Sequence, residues 1–299
     1  MAEKAEKPTS VKFLKAKFSE TGLAPRKSLG QNFLIDENIL QKIVNSGAVT
    51  KEDVVLEVGP GMGALTTVLS NQAGWVIAIE YDRGLFGLLQ KALATAANIK
   101  LINEDIMKTD LTAILGEHNQ QGRCCKVIAN LPYYITTPVI FKLLESEITW
   151  ERLIFLVQKE VADRMNARPG GKEYGALTVM LNFYGRVERI GVVPRTVFYP
   201  APQVDSAIIG IFPHQDNWDK SLYPFLRKVV QAAFEQRRKM ILNALATFES
   251  LFGSKKDLAD GLLELGIDPE RRGETLSVAE FVKLAQEICL RESENHRGC

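Results

Sequence analysis

Short apolar and β-branched runs punctuate the chain: VVLEV at 54–58, WVIAIE at 75–80, IKLIN at 99–103, CKVIAN at 125–130, RLIFLVQ at 152–158 and SAIIGIF at 206–212. Each has the length of a strand and is too short for an independent helix. Between them, 63–70 and 84–94 carry the apolar repeat of amphipathic helices. Strands alternating with helices predict an α/β fold, with a mostly parallel sheet covered on both faces. Beyond residue 213 the strand pattern stops, and 223–248, 256–265 and 278–290 are predicted as three helices. The predicted organisation is an arm at 1–27, an α/β domain at 28–213 and a smaller helical domain at 214–299.

At 299 residues and 46% hydrophobic composition, the chain can bury a sizeable core without covalent staples. Lys plus Arg is 37 against 36 Asp plus Glu, a formal charge of +1, which excludes a protein held to phosphate by bulk charge. The balance is uneven along the chain: +4 over 1–27, −2 over 28–213 and −1 over 214–299. Within 220–245, Lys220, Arg227, Lys228, Arg237, Arg238 and Lys239 face one acid, Glu235. The four cysteines, Cys124, Cys125, Cys289 and Cys299, form no C-x-x-C pair, so no structural metal and a reducing compartment are expected. His118, His214 and His296 lie far apart, which argues against a His-centred site. No apolar run approaches the ~20 residues of a membrane span. Residues 1–27 lack the apolar stretch of a secretory signal and read as a mobile basic arm, and Glu3 and Glu6 weaken an organellar transit reading. A cytoplasmic monomer is expected.

The first strand candidate runs into Gly59-Pro60-Gly61-Met62-Gly63-Ala64-Leu65, a glycine turn opening a helix. Gly59 and Gly61 let backbone come close to a ligand. Read as G-x-G-x-x-A, with Glu80 about 20 residues on to hold ribose hydroxyls, the turn fits a dinucleotide site. S-adenosylmethionine presents an adenosine to the same arrangement. Glu57 at the strand end and Pro60 in the turn lean toward a methyltransferase, because a pyrophosphate wants backbone N–H groups where proline has none. Asp105 ends the third strand candidate, where an acid can accept from an adenine amino group; its plainer reading is a cap for the segment that follows.

Asn130-Leu131-Pro132-Tyr133 after the fourth strand is more specific. The exocyclic amine of adenine is a poor nucleophile, because its lone pair is delocalised into the ring. Two acceptors for its N–H groups, the Asn130 side-chain oxygen and the Leu131 carbonyl set by Pro132, would draw the nitrogen toward tetrahedral geometry. Tyr133 offers a face for a base that has left its own stack. N-x-P turns after strands are also ordinary.

From about Lys27 to Leu284 the chain resembles the small-subunit ribosomal RNA adenine dimethyltransferases of the KsgA type. The resemblance rests on KSLGQNFL at 27–34, EVGPG at 57–61, Glu80, Asp105, NLPY at 130–133, QKE at 158–160, FYPAPQVDS at 198–206 and QRRK at 236–239, in that order. It implies a Rossmann-like domain using S-adenosylmethionine plus a small helical domain. It also implies a substrate: two adjacent adenosines in a hairpin near the 3′ end of small-subunit rRNA, each methylated twice at N6 on the subunit or its assembly intermediate. By the same resemblance Asn32 and Leu34 close over the cofactor, Gly59 lies against it, Glu80 holds the ribose, Asp105 the adenine, and Asn130 faces donor and amine. Tyr134 stands where the family often has Asn, and Met240 where Thr is common. A large-subunit rRNA methyltransferase and a mitochondrial transcription-factor relative are the competing readings.

Two expectations concern RNA. The prolines after Phe198 make a stiff loop that would place its ring opposite Tyr133 to sandwich a flipped adenine; core packing is the plainer alternative. On one helix over 223–248, Arg227 and Arg238 are 11 residues apart and share a face, Lys228 and Lys239 repeat the offset, and Leu226, Val229, Val230, Ala233, Met240 and Ile241 form the apolar side. A basic stripe including Arg237 would then contact phosphate.

Overall fold

The computed structural model describes residues 8–120, 123–214 and 219–297. In chain order its elements are α1 (Val11–Thr21), β1 (Phe33–Leu34), α2 (Glu37–Ser46), β2 (Val54–Val58), α3 (Ala64–Gln72), β3 (Trp75–Ile79), α4 (Arg83–Ala92), β4 (Ile99–Ile102), α5 (Leu111–Gln120), β5 (Cys125–Asn130), α6 (Thr136–Leu144) and β6 (Trp150–Gln158). There follow α7 (Lys159–Met165), α8 (Ala176–Tyr184), β7 (Gly185–Val193), β8 (Phe198–Tyr199), β9 (Ser206–Pro213), α9 (Tyr223–Glu235), α10 (Ile241–Ala244), α11 (Glu249–Phe252), α12 (Lys255–Glu264) and α13 (Val278–Arg297). The chain forms two compact units. One comprises the described residues of Met1–Ala162 with Glu188–Phe212, the other Asp163–Val187 with the described residues of Pro213–Cys299.

A seven-stranded sheet in the order β4-β3-β2-β5-β6-β9-β7 organises the α/β fold. β4, β3, β2, β5 and β6 are parallel, and β9 runs antiparallel to β6. VVLEV and CKVIAN read as nearly unbroken apolar runs because the central strands are covered on both faces; all five residues of β2 are buried. The order reverses between β2 and β5, so the loops after these two strands open side by side. α2 and α4 begin where short acids cap them: Asp36 accepts from Ile39 N at 3.0 Å, and Asp82 from Gly84 N at 2.8 Å.

At the other end of the sheet, Lys126 is buried with its Nζ 2.7 Å from Asp53, 3.3 Å from Glu151 and 2.8 Å from the Ala48 carbonyl. Asp53, Glu151 and Cys124 cluster there, and the two acids are met by two cations, Lys126 and Arg152, the latter 2.8 Å from Glu151.

The structure differs from the sequence reading in its division into units, in an edge strand and in the N-terminal segment. The expected α/β domain over 28–213 is not one continuous piece: the second unit resumes at Pro213, within one residue of the expected boundary, and also takes in Asp163–Val187. The segment 163–187 packs with the C-terminal helices instead, because α8 is apolar nearly all round: Leu177, Val179, Met180, Leu181, Phe183 and Tyr184 are all buried. β7, an edge strand, was not expected, since Arg186, Glu188 and Arg189 interrupt its apolar pattern, as charges on edge strands do. The described part of the 1–27 arm is an ordered helix, not a mobile arm, with Leu14 and Phe18 buried.

Within the second unit, Tyr174 donates its hydroxyl to Leu276 O at 2.7 Å, and its ring lies 6.0 Å from Phe234, itself stacked 5.8 Å from Phe281. No helix among the described residues is long and apolar enough to cross a membrane.

Candidate active site

The loops after β2, β3, β4 and β5, with the segment from Leu29 to Leu34, enclose a cleft of about 350 Å³. Gly59, Gly61 and Gly63 turn the chain after β2 with φ of 70°, 61° and 80°. Only a residue without Cβ adopts these cheaply. The turn sits close to its neighbours: a Cβ on Gly59 would lie 3.6 Å from Pro132, and one on Gly61 would meet the Phe33 ring at 3.0 Å.

Among the described residues, four carboxyl side chains line the cleft, Glu57, Glu80, Glu104 and Asp105, and no Lys, Arg or His does. Glu80 Oε2 accepts from Gly61 N at 3.1 Å and Oε1 from Asp82 N at 2.8 Å, which locks the glycine turn to the end of β3. Each oxygen retains a lone pair for a further donor. Asp105 Oδ1 accepts from Met107 N at 2.9 Å, so the capping role read as the plainer alternative is present, and it leaves Oδ2 open. Glu57 is the member that the site reading omitted. Its Oε2 is buried with no partner among the described residues, and Thr66 Oγ1 beside it is likewise unpartnered. The signal was one acid inside an otherwise wholly apolar strand.

Burial pushes the Glu57 carboxyl up to about 8, against the pull of the neighbouring Thr66 hydroxyl and with the Glu80 carboxylate adding a smaller push, and it pushes Glu80 up to about 7 against its backbone hydrogen bonds. The ligand-free folded chain therefore binds more protons than the unfolded chain between the ordinary glutamate range and pH 7–8, and its stability falls as pH rises through that window. Glu57→Gln, isosteric with the protonated acid, is expected to raise the Tm of the ligand-free protein at pH 8.5 and to leave it unchanged at pH 5. Equal shifts at both pH values would show that Glu57 does not titrate this way.

At the end of β5, Asn130 Nδ2 donates to Asn32 O at 3.1 Å, and Asn32 Nδ2 to Gly30 O at 3.0 Å. With its amide nitrogen so engaged, Asn130 has Oδ1 as its free acceptor. Leu131 N is taken by Leu156 O at 3.2 Å, and no described residue donates to the Leu131 carbonyl. Two unpartnered acceptors thus stand on successive residues at the cleft wall. The next residue but one, Tyr133, is fixed by a 2.7 Å hydrogen bond between its hydroxyl and Ser206 Oγ. Ser206 is fully buried at the start of β9, and nothing in a 73-residue separation announces the pair.

Asn32, Leu34, Gly59, Gly61, Glu80, Asp105, Asn130, Leu131, Pro132 and Tyr133 all line this one cleft, together with Tyr81 and Tyr134 at its open side, both more than half exposed. Phe198 does not join them. β8 pairs with β1 so that Phe198 lies opposite Leu34, and the ring is 3% exposed in a core cluster with Leu40, Val44 and Ile208. The expected placement opposite Tyr133 gives way to core packing.

The basic residues also depart from expectation. The predicted helix over 223–248 stops at Glu235, because Met240 pairs in extended conformation with Arg272 and Ile241 N donates to Arg271 O at 2.6 Å. Arg237, Arg238 and Lys239 lie in the turn between α9 and α10, off the helix that carries Arg227 and Lys228, and Met240 is exposed rather than on an apolar face. Arg237 is a clamp: it pairs with Glu274 at 2.9 Å and donates to the carbonyls of Lys172 and Tyr174. Lys228 pairs with Glu292 at 2.8 Å. Arg227, Arg238 and Lys239 are exposed and form no ion pair among the described residues.

A family model described as ribosomal RNA adenine dimethylase matches residues 22–289. The chain is 45% identical over 274 residues to proteins named ribosomal RNA small subunit methyltransferase A from Bacillus mycoides and Bacillus cereus, covering 90% of this chain and 93% of each relative. Among solved structures, a dimethyladenosine transferase from Plasmodium falciparum superposes with a TM-score of 0.74 at 26% identity, over 87% of this chain and 98% of that one. The 23S rRNA methyltransferase ErmE shares the fold, with a TM-score of 0.67 at 23% identity over 86% and 99% of the two chains.

Proposed function

The chain belongs to the ribosomal RNA adenine dimethylase family, and from that premise we propose that it methylates twice the N6 amine of each of two adjacent adenosines in a hairpin near the 3′ end of small-subunit rRNA, with S-adenosylmethionine as donor. It is an enzyme, and its α/β unit is a Rossmann-like methyltransferase fold. One observation supports transfer to an exocyclic amine. The unpartnered acceptors Asn130 Oδ1 and Leu131 O stand at the wall of a cleft lined, among the described residues, by four carboxyl side chains and no cation.

That charge separates the two cofactors the glycine turn allows. A dinucleotide brings two phosphate charges into a wall of acids with no cation among the described residues to meet them, whereas S-adenosylmethionine brings a cationic sulfonium, an ammonium group, a ribose diol and an adenine amine. Glu57, with its orphaned buried oxygen, suits the ammonium group, Glu80 the diol and Asp105 the adenine amine, while Gly59 and Gly61 admit the ligand close to backbone. When bound, S-adenosylmethionine supplies an electrophilic methyl group.

The protein holds the nucleophile. Asn130 Oδ1 and Leu131 O each accept one N–H of the target amine and draw its lone pair out of the ring, toward the donor. Tyr133, its ring held by Ser206, is the surface on which the flipped base stacks. After the first transfer one N–H remains, so one acceptor suffices to orient the amine for the second. The released proton goes to solvent.

Incubation with labelled S-adenosylmethionine and purified small subunits, large subunits or naked rRNA, followed by nucleoside analysis, tests the reading. N6,N6-dimethyladenosine in small-subunit material alone is the expected result; its appearance in large-subunit RNA would overturn the substrate.

RNA contact in the helical unit is assigned to Arg227, Arg238 and Lys239, the members of the expected basic stripe that are exposed and pair with no acid among the described residues. Arg238→Ala/Lys239→Ala is expected to keep the wild-type Tm and to weaken RNA binding, with the salt slope falling by roughly one for each phosphate that the variant no longer neutralises. Arg237→Ala is expected to lower Tm, since it removes the clamp on the Lys172 and Tyr174 carbonyls. An unchanged affinity and slope in the double variant would make these cations a solvated face.

A further inference from the structure

The match to the family model begins at residue 22, yet the helix ahead of it is built into the wall of the cofactor cleft. α1 is closed at its start by Ser10, whose Oγ accepts from Phe13 N at 3.4 Å, and at its end by Gly22 in the left-handed conformation. Leu14 and Phe18, one turn apart, are its buried residues, and they form a single cluster with Phe33, Met62 and Leu85. Those last three also line the cleft. Each therefore has one side toward the cleft and another under α1.

The contact continues to the glycine turn. The Phe18 ring lies 5.7 Å from that of Phe33, and Phe33 is so close to Gly61 that no side chain fits between them. The segment after α1 is tied to the same wall: Arg26 pairs with Asp82 at 3.2 Å, and the Gln31 side chain bridges Arg26 N and Asp82 Oδ2 at 2.7 and 3.3 Å. Asp82 N in turn donates to Glu80, the carboxylate that also receives Gly61 N.

We propose that α1 is a buttress of the cofactor cleft, with Leu14 and Phe18 holding Phe33 against the glycine turn so that docking of this helix and binding of S-adenosylmethionine reinforce each other. The proposal rests on the cofactor reading above. Leu14 and Phe18 are positioning residues, since they lie in the cluster behind Phe33, Met62 and Leu85 and do not line the cleft. With α1 undocked, the outer faces of those three side chains meet water, and the wall relaxes into the space the ligand needs. Coupling between two binding events is reciprocal, so whatever factor docked α1 adds to ligand affinity, the ligand adds to the docking of α1.

Hydrogen exchange on the wild-type chain, with and without saturating S-adenosylmethionine, reads this without any substitution. Exchange of the α1 amides is expected to slow by about tenfold relative to the amides of α12 in the second unit, which controls for global stabilisation. By titration calorimetry, Leu14→Ala/Phe18→Ala is expected to bind S-adenosylmethionine about tenfold more weakly. Wild-type protein that binds the ligand with no selective protection of α1, or a folded double variant that binds within about twofold of wild type, overturns the buttress. Wild-type protein that fails to bind S-adenosylmethionine at all overturns the cofactor reading beneath it.

Discussion

Asn130→Ala is expected to lower single-turnover methyl transfer by roughly 10²- to 10³-fold, the size of effect seen when one preorganised polar group is removed from a developing charge. The loss is expected on the chemical step, because in the proposed mechanism Asn130 Oδ1 accepts from an amine whose nitrogen changes geometry only as the methyl group arrives. Binding is affected less. The amide also donates to Asn32 O at 3.1 Å, but the 30–34 segment stays held by the Gln31–Asp82 hydrogen bond and by the pairing of Phe33–Leu34 with Phe198–Tyr199. The checks are a rate under single-turnover conditions, a calorimetric Kd for S-adenosylmethionine and a Tm. Asn130→Asp refines the test: it retains an acceptor oxygen but loses the donor that orients it, and it is expected to recover little activity. A folded Asn130→Ala protein with transfer within tenfold of wild type would falsify the two-acceptor mechanism.

The second large effect is on stability. Phe198→Ala removes a ring that is 3% exposed among Leu34, Leu40, Val44 and Ile208, and truncation of a buried phenylalanine costs about 3–5 kcal/mol. In a unit of this size that corresponds to a fall in Tm of roughly 10 °C. Turnover at low temperature is expected to survive in the fraction that stays folded. The contrary pattern, a wild-type Tm with selectively lost turnover, would put Phe198 back against the substrate. Thermal denaturation and a rate at 15 °C separate the two cases.

The central fold was legible because its strands are covered on both faces, so five-residue apolar runs such as Val54–Val58 need no partner to be recognised. The cleft was legible for a related reason. At the ends of parallel strands each site residue follows its own strand, and Glu80, Asp105 and Asn130 could be assigned from local spacing. What failed depended on pairing across long separations. Nothing within 198–206 reveals that β8 lies against Phe33–Leu34 and pulls Phe198 inward. Nothing within 223–248 reveals that Arg271 and Arg272 return to break the helix at Gln236. The α1 helix is a different case. Its cap at Ser10, its stop at Gly22 and its apolar Val11, Leu14 and Phe18 are all local signals, and they stand among lysines that by themselves read as a charged arm.

The division of the chain into units also sets an order of events during synthesis. Every strand of the sheet is present once residue 213 has emerged, so the α/β unit can close while the remaining chain is still being made. The 163–187 segment has by then been made, with α8 apolar on almost every side, but Phe234 and Phe281, which complete the aromatic stack against Tyr174, come much later. For that interval a nascent chain carries an unsheltered greasy helix, a natural point of capture for a chaperone. A fragment starting at residue 214 would lack the same helix for good and is expected to be insoluble, so the helical unit is no module that can be cut off and studied apart.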